Sequence, residues 1–191
     1  MDRRKALRSI GTGIGAIAVT PAVISLFQSC QSVATYTPVF ILENDFKIVS
    51  NLMEMIIPKT DIPGAIELKL PEFVDAYIDS VWDEEGKTSF KNAWAVFLSA
   101  STKAAGKETA EDLSPKDWDA QLAKYLKPGN DISEAEAQAS QFANQLRSLT
   151  VNAFKTNEFI GEQVLAYAPI PGEQKGCVDL MEATGGKAWS L

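Results

Sequence analysis

Histidine is absent from the 191 residues of the chain, and cysteine occurs only twice, as Cys30 and Cys177. The lack of imidazole excludes a Ser-His-Asp or Cys-His nucleophile, a histidine-ligated haem and a histidine-containing zinc or di-iron site. Two cysteines cannot form a four-thiolate cluster, and this pair is not a CxxC redox motif. We therefore assign no catalytic, cofactor-binding or metal-binding residue to this chain.

Basic residues are also few. The sequence has 18 Lys and Arg against 25 Asp and Glu, a net charge of −7. An acidic chain binds nucleic acid poorly because neutralisation of phosphates dominates that affinity, so we expect no nucleic-acid partner. Without residues 1–29 the net charge becomes −10, because four basic residues and one acidic residue are lost. Such an acidic body is a poor ligand for an anionic lipid surface.

Residues 1–29 have the layout of an export signal peptide, with a basic start followed by an uncharged stretch of modest hydrophobicity. Arg3, Arg4 and Leu7 resemble the twin-arginine signal, which a receptor recognises. The uncharged stretch over residues 9–42 is also long enough to span a bilayer, so an uncleaved membrane anchor is the alternative.

Cys30 follows the sequence Leu-Phe-Gln-Ser, which resembles a lipoprotein cleavage site, although Phe27 stands where leucine is usual. Cleavage there would make Cys30 a lipidated N-terminal residue, and two or more acyl chains anchor a protein durably. Residues 30–42 would then be a tether. We expect an exported protein, lipid-anchored at the periplasmic face of the cell envelope. The alternative is an ordinary free or disulfide-bonded cysteine.

Apolar residues recur at spacings of three and four over residues 43–168, and no alternating strand pattern exceeds four residues. Asn44 or Asp45 is predicted to cap the first helix, while Ser114 and Ser133 are predicted to cap two later ones. The fold class is therefore all-α, a compact bundle of five or six helices.

The second predicted helix begins at Pro71. We expect Glu72, Asp75 and Asp79 on its solvated face. Its buried stripe is predicted to consist of Phe73, Val74, Tyr77, Ile78, Val81 and Trp82. The acidic run at residues 83–85 is expected in the loop that follows this helix, because the helix dipole disfavours negative charge at a C-terminus.

Two segments are too rich in proline and glycine for regular helix. Pro58, Asp61, Pro63 and Gly64 predict a rigid turn between the first two helices. Residues 169–191 predict an irregular tail, and its apolar side chains must pack on the domain or on a partner.

The order of these landmarks resembles the gluconate 2-dehydrogenase subunit 3 family, the small gamma chain of membrane-bound flavoprotein dehydrogenases. The similarity runs from Arg3 to Cys177. It is carried by the twin-arginine start and by a series of short motifs: Ile56-Ile57-Pro58, Thr60-Asp61-Ile62-Pro63-Gly64-Ala65, Leu149-Thr150, Phe154, Thr156, Tyr167, Pro169, Pro171-Gly172 and Gly176-Cys177.

This resemblance implies an accessory, non-catalytic subunit. The implied partner is a large FAD-binding dehydrogenase subunit of the glucose-methanol-choline oxidoreductase type, so FAD is expected in the partner. Electrons would leave through a cytochrome c subunit carrying haem c, or through another acceptor. The small chain would escort the folded flavoprotein through twin-arginine export and help to stabilise or tether it.

Under this resemblance, Pro58, Asp61, Pro63 and Gly64 shape a turn at or near the partner interface, with a simple helix connection as the alternative. Gly172 and Cys177 would order the tail. Cys177 has three interpretations: a buried thiol, a disulfide to a partner subunit, or a bridge to Cys30. The last would exclude lipidation, since acylation consumes the Cys30 thiol.

Two other functions compete with this one. The first is an independent enzyme that uses a carboxylate pair, although the sequence singles out no such pair. The second is a lipid-anchored binding or scaffold protein of the envelope, unrelated to dehydrogenases, which explains the export signal and the bundle equally well.

Overall fold

The computed structural model describes residues 36–129, 132–168, 170, 172 and 176–189. The chain divides into two units, Met1–Tyr36 and Thr37–Leu191, and only the second is described below. The predictions for Arg3, Arg4, Leu7 and Cys30 lie outside the described residues. Every helix named below belongs to the second unit.

Helices account for all the regular structure in these ranges, apart from one isolated parallel bridge between Ala166 and Trp189. They confirm the all-α bundle, with a 3-10 turn at Ala110–Asp112 and a π-helix at Ile160–Val164. The six α-helices of the described residues are α1 (Glu43–Ile56), α2 (Leu70–Val81), α3 (Glu84–Ala105), α4 (Pro115–Leu126), α5 (Glu134–Thr156) and α6 (Leu180–Thr184).

Helix α5 is the centre of the bundle and packs against α1, α2, α3 and α4. Phe142 of α5 and Phe97 of α3 are fully buried, with ring centroids 5.0 Å apart. Trp94 and Trp118 stack on Phe97. Full burial of one large apolar side chain contributes about 1.5–3 kcal/mol, so this aromatic cluster accounts for much of the bundle's stability.

Local sequence signals set several helix ends as predicted. Ser114 and Ser133 each cap a helix through a capping box, the first with Asp117 and the second with Glu136. Helix α3 ends at Gly106, which has a φ of 64°, a left-handed conformation that glycine adopts without strain.

The predicted cap of α1 is wrong. Leu42 precedes the helix and offers no side-chain cap, whereas Asn44 and Asp45 lie inside its first turn. The Leu42 carbonyl accepts the amides of Asp45 and Phe46, both at 2.9 Å, so the backbone alone begins the helix. The acidic side chains there still suit the positive end of the helix dipole.

The predicted buried stripe of α2 is correct for Val74 and Ile78 and wrong for Phe73, Tyr77 and Val81, which are exposed. Its core-facing stripe is formed by Leu70, Val74 and Ile78. Asp75 is fully buried, whereas Phe73 is 51% exposed and lies stacked on Tyr77. Burial of Asp75 is possible because three backbone amides of residues 39–41 solvate its carboxylate.

The acidic run over residues 83–85 does not lie in a loop after α2. Asp83 caps α3 by accepting the Gly86 amide at 2.8 Å, and Glu84 and Glu85 form the first helical turn. The helix dipole is the physical reason. The negative C-terminal end of α2 disfavours these carboxylates, whereas the positive N-terminal end of α3 favours them. No helix in the described ranges is long and apolar enough to cross a membrane.

Candidate partner-binding surface

The turn between α1 and α2 is organised by one carboxylate, that of Glu54 in α1. It accepts the backbone amides of Lys59 at 3.0 Å and Ile66 at 2.8 Å. A backbone bond from the Ala65 amide to the Ile57 carbonyl, 3.0 Å long, closes the loop. The segment therefore has a fixed shape, as its prolines predict.

Gly64 of this turn is buried in a place where no side chain fits. A Cβ at this position would overlap the Glu54 carboxylate and approach the Lys59 nitrogen to 2.6 Å. Pro58 and Asp61 are exposed and Pro63 is half-buried. The four predicted residues thus lie in one turn held by Glu54, which sequence reasoning missed because nothing local distinguishes it from other polar residues of α1.

A second carboxylate, which is buried, fixes the segment that leads into α1, residues 37–42, here called the N-terminal strap. Asp75 of α2 accepts three successive amides, from Val39 at 2.7 Å, Phe40 at 3.1 Å and Ile41 at 2.6 Å. Phe40 and Ile41 turn into the core. The strap is therefore part of the folded body.

Between the strap, α1 and α3 lies an apolar groove of about 370 Å³, here called the strap groove. Its walls are mostly hydrocarbon, with one carboxylate and one ammonium group among them. The lining residues are Phe40, Ile41, Leu42, Asp45, Val49, Phe90, Lys91, Trp94, Ala95 and Leu98.

Two polar side chains of the strap groove differ in their surroundings, since Trp94 is buried and Lys91 is exposed. The Trp94 indole Nε1 is buried and has no hydrogen-bond partner within the described chain. The Lys91 ammonium lies 4.7 Å from the centre of the Phe40 ring, a cation–π contact rather than an ion pair. Nothing in the sequence pattern indicates this groove, since an uncharged segment over residues 30–42 predicts a tether.

Helix α2 presents a second apolar surface, on the side away from the core. Phe73 and Tyr77 lie one turn apart with ring centroids 6.0 Å apart. Val81, one turn further, is 61% exposed. Residues four apart share a helix face, so these three form an apolar stripe.

Within the described residues, a short backbone bridge and one lysine connect the tail to the body. The Ala166 amide donates to the Ala188 carbonyl at 2.8 Å, and the Lys187 ammonium donates to the Gln163 carbonyl at 2.9 Å. The tail also has large apolar side chains that are exposed to 49–67%: Val178, Leu180, Met181 and Trp189.

Cys177 is exposed, so its interpretation as a buried thiol is wrong, whereas a disulfide to a partner subunit or to Cys30 stays a prediction. Gly172 is also exposed and has a φ of 76°, a backbone conformation that explains a glycine at this point of the tail.

Perturbed ionisable groups lie near the surface, away from the strap groove. The Lys124 ammonium donates to the Glu136 carboxylate, and this bond raises the pKa of Lys124 and lowers the pKa of Glu136. A bond from the Ser114 hydroxyl lowers the pKa of Asp117 within its capping box. Among the described residues no group of three or more His, Cys, Asp or Glu side chains could hold a metal ion.

The fold and these surfaces define an all-α bundle with a preformed apolar groove and an exposed apolar tail. The sequence model of the family described as gluconate 2-dehydrogenase subunit 3 matches residues 43–172. The chain therefore belongs to that family, which confirms the resemblance seen in the sequence. A search of curated proteins and a search of solved structures each found no match to the chain.

Proposed function

We propose that this chain is the non-catalytic small subunit of a membrane-associated, FAD-dependent dehydrogenase that oxidises a sugar or sugar acid. The observation that carries the proposal is the family match over residues 43–172, since the family is one of dehydrogenase subunits. The exposed apolar surfaces support it, because a subunit must bury such surfaces against its partner. The partner proposed is a large FAD-binding subunit of the glucose-methanol-choline oxidoreductase type.

The second part of the proposal is export. Arg3, Arg4 and Leu7 supply a twin-arginine signal, so this chain escorts the folded flavoprotein across the membrane. Cys30 then carries lipid and holds the complex at the periplasmic face of the envelope. FAD resides in the partner, and a cytochrome c subunit carrying haem c takes the electrons onward.

The test of escort is a conservative change in the signal. Arg3→Lys with Arg4→Lys keeps the charge of the N-terminus but removes the arginine pair. We expect both this chain and a co-produced flavoprotein to stay in the cytoplasm, followed by FAD content and dehydrogenase activity in cell fractions. Arrival of the flavoprotein in the envelope despite the double change would refute escort.

The turn of Pro58, Asp61, Pro63 and Gly64 is a further part of the proposed interface. Its exposed residues, Pro58 and Asp61, offer a rigid surface whose shape is fixed by Glu54. A rigid loop loses little conformational entropy on binding, which favours association. Asp61→Lys tests this role by capture of the flavoprotein, since the residue is exposed and a reversed charge there leaves the Glu54 bonds intact. Undiminished capture would leave the turn as a simple helix connection.

A lipid-anchored scaffold unrelated to dehydrogenases is the second candidate, favoured only by the N-terminal sequence around Cys30. Capture of the tagged chain from detergent-solubilised membranes separates the two. A near-stoichiometric FAD-bearing partner supports the dehydrogenase subunit, and complexes without FAD support the scaffold.

A further inference from the structure

We propose that the strap groove is the site where the flavoprotein subunit inserts an apolar anchor side chain. The inference rests on the proposed function and adds the place of contact and its chemistry. The groove is preformed, because Asp75 holds the strap that forms one wall through three amide bonds. Preformed apolar pockets that receive one anchor residue are typical centres of binding energy in interfaces.

The polar groups of the groove define what the anchor must bring with it. Lys91 is exposed at the edge of the groove, and its ammonium lies over the face of the Phe40 ring. The occupant is therefore an aromatic or long aliphatic side chain for the apolar walls, flanked by a carbonyl or a carboxylate that accepts a hydrogen bond from the Lys91 ammonium.

The surroundings favour a protein partner over other occupants. Apolar surface continues along the strap from Leu42 at the rim of the groove, 71% exposed, to Val39, 62% exposed, so it extends beyond the groove itself. A second copy of this chain carries the same net negative charge, so the two would repel each other. An anionic lipid surface is disfavoured for the same reason. A larger crevice of about 410 Å³ beside α3 and α5 is lined mainly by polar side chains and lacks these features.

Ala95 allows a direct test, because it lines the groove and is also exposed on α3. Ala95→Arg places a charged side chain in the groove without disturbing the core. Ala104→Arg is the matched control, since it is exposed on the opposite face of the same helix, nine residues further along. Circular dichroism and urea unfolding verify that both variants fold.

Each tagged full-length variant is co-produced with an untagged wild-type chain and the flavoprotein, so that the two small chains compete. We expect Ala95→Arg to capture about tenfold less FAD per tagged chain, the loss typical of blocking an anchor pocket. Leu42→Glu, at the rim, should reduce capture in the same direction, and Ala104→Arg should match the wild type.

The outcomes separate this inference from the proposed function. If the wild-type chain captures FAD and Ala95→Arg captures as much, the groove assignment is overturned while the function stands. If the wild-type chain captures no FAD, the proposed function fails and the occupant assigned here fails with it. Equal losses of captured FAD in Ala95→Arg and Ala104→Arg also overturn the groove assignment, because the effect would not be specific to the groove.

Discussion

Asp75 shows how one buried carboxylate can define a surface. An isolated charge in a protein interior is strongly disfavoured unless hydrogen bonds replace its hydration. Here three consecutive amides of the strap do so, at 2.6–3.1 Å. The same bonds hold Phe40 and Ile41 against the core and thereby form one wall of the strap groove.

We predict that Asp75→Asn destabilises the fold by about 2–4 kcal/mol, because an amide nitrogen would then face a buried N–H donor. The free energy of unfolding in urea measures this. Asp79→Asn is the control: it lies one turn away on α2, is exposed, and pairs only loosely with Lys87 at 3.5 Å. A comparable decrease in the free energy of unfolding in both variants would show that loss of the hydrogen bonds to the strap is not the cause of the destabilisation.

Gly64 gives a second residue-scale prediction. Gly64→Ala should lower the free energy of unfolding by about 1–3 kcal/mol, since the new Cβ would overlap the Glu54 carboxylate and force the turn apart. Gly129→Ala is the control, because a Cβ on this exposed glycine would meet nothing within 4 Å. Thermal unfolding of both variants checks the prediction. An unchanged stability of Gly64→Ala would mean that the turn accommodates the added methyl group without strain.

The roles of Asp75 and Glu54 could not be identified from sequence alone. Asp75 lies among polar residues of an amphipathic helix, and its partners are at least 34 residues away in the chain. Such a long-range pairing leaves no periodic signal, so the helical pattern indicates a solvated face. Gly64 is predictable as a turn residue, but the reason for a glycine there requires the position of Glu54.

At the scale of elements, the junction of α4 and α5 combines local and tertiary electrostatics. Glu136 completes the capping box of α5 with Ser133 and also forms an ion pair with Lys124 of α4 at 2.9 Å. The Lys124 bond, followed by the bonds from Ser133, holds the pKa of Glu136 below its ordinary value. The carboxylate therefore links a helix start to the neighbouring helix.

We predict a pH-dependent contribution of Glu136 to stability. Because its pKa is lowered in the folded state, the contribution is present above the unfolded-state pKa and is lost as the pH falls through the folded-state pKa. Urea unfolding at pH 7 and at about pH 3, below ordinary carboxyl pKa values, measures it. Glu136→Gln should unfold earlier than wild type at pH 7, with the gap narrowing in acid.

The control for this pH dependence is Glu134→Gln, an exposed position in the same first turn. This variant tests whether any carboxylate near the start of α5 makes the pH-dependent contribution to stability through the helix dipole alone. A gap of the same size for both variants would assign the effect to the dipole and not to the Lys124 pair.

Element starts of this kind could be predicted because their signals are local. Ser114 and Ser133 lie three residues before an acidic partner, and both caps form as expected. The start of α1 was mispredicted because its determinant is the strap, held by a distant helix. The rotation of α2 was mispredicted because two apolar faces compete in its sequence, and only packing decides which one is buried.

At the scale of the whole molecule, the exposed apolar side chains are unevenly distributed over the surface. Large apolar side chains are exposed or line a groove in three places: the strap groove, the stripe of Phe73, Tyr77 and Val81, and the tail. The fold class and the family could be predicted from periodicity and motif order. The groove could not, because it arises from three segments that meet only in the folded chain.

The tail allows the last prediction. Leu180 begins α6 and is 60% exposed, so Leu180→Glu changes its surface while the new charge suits the helix start. If the tail binds the flavoprotein, capture of FAD per chain should fall by about fivefold or more, as for truncation of an interface residue. The control is Ala120→Glu, which places the same charge at an exposed position of α4. Unchanged capture in Leu180→Glu would place the tail outside the interface and leave the strap groove, the α2 stripe and the turn between α1 and α2 as the surfaces available to a partner.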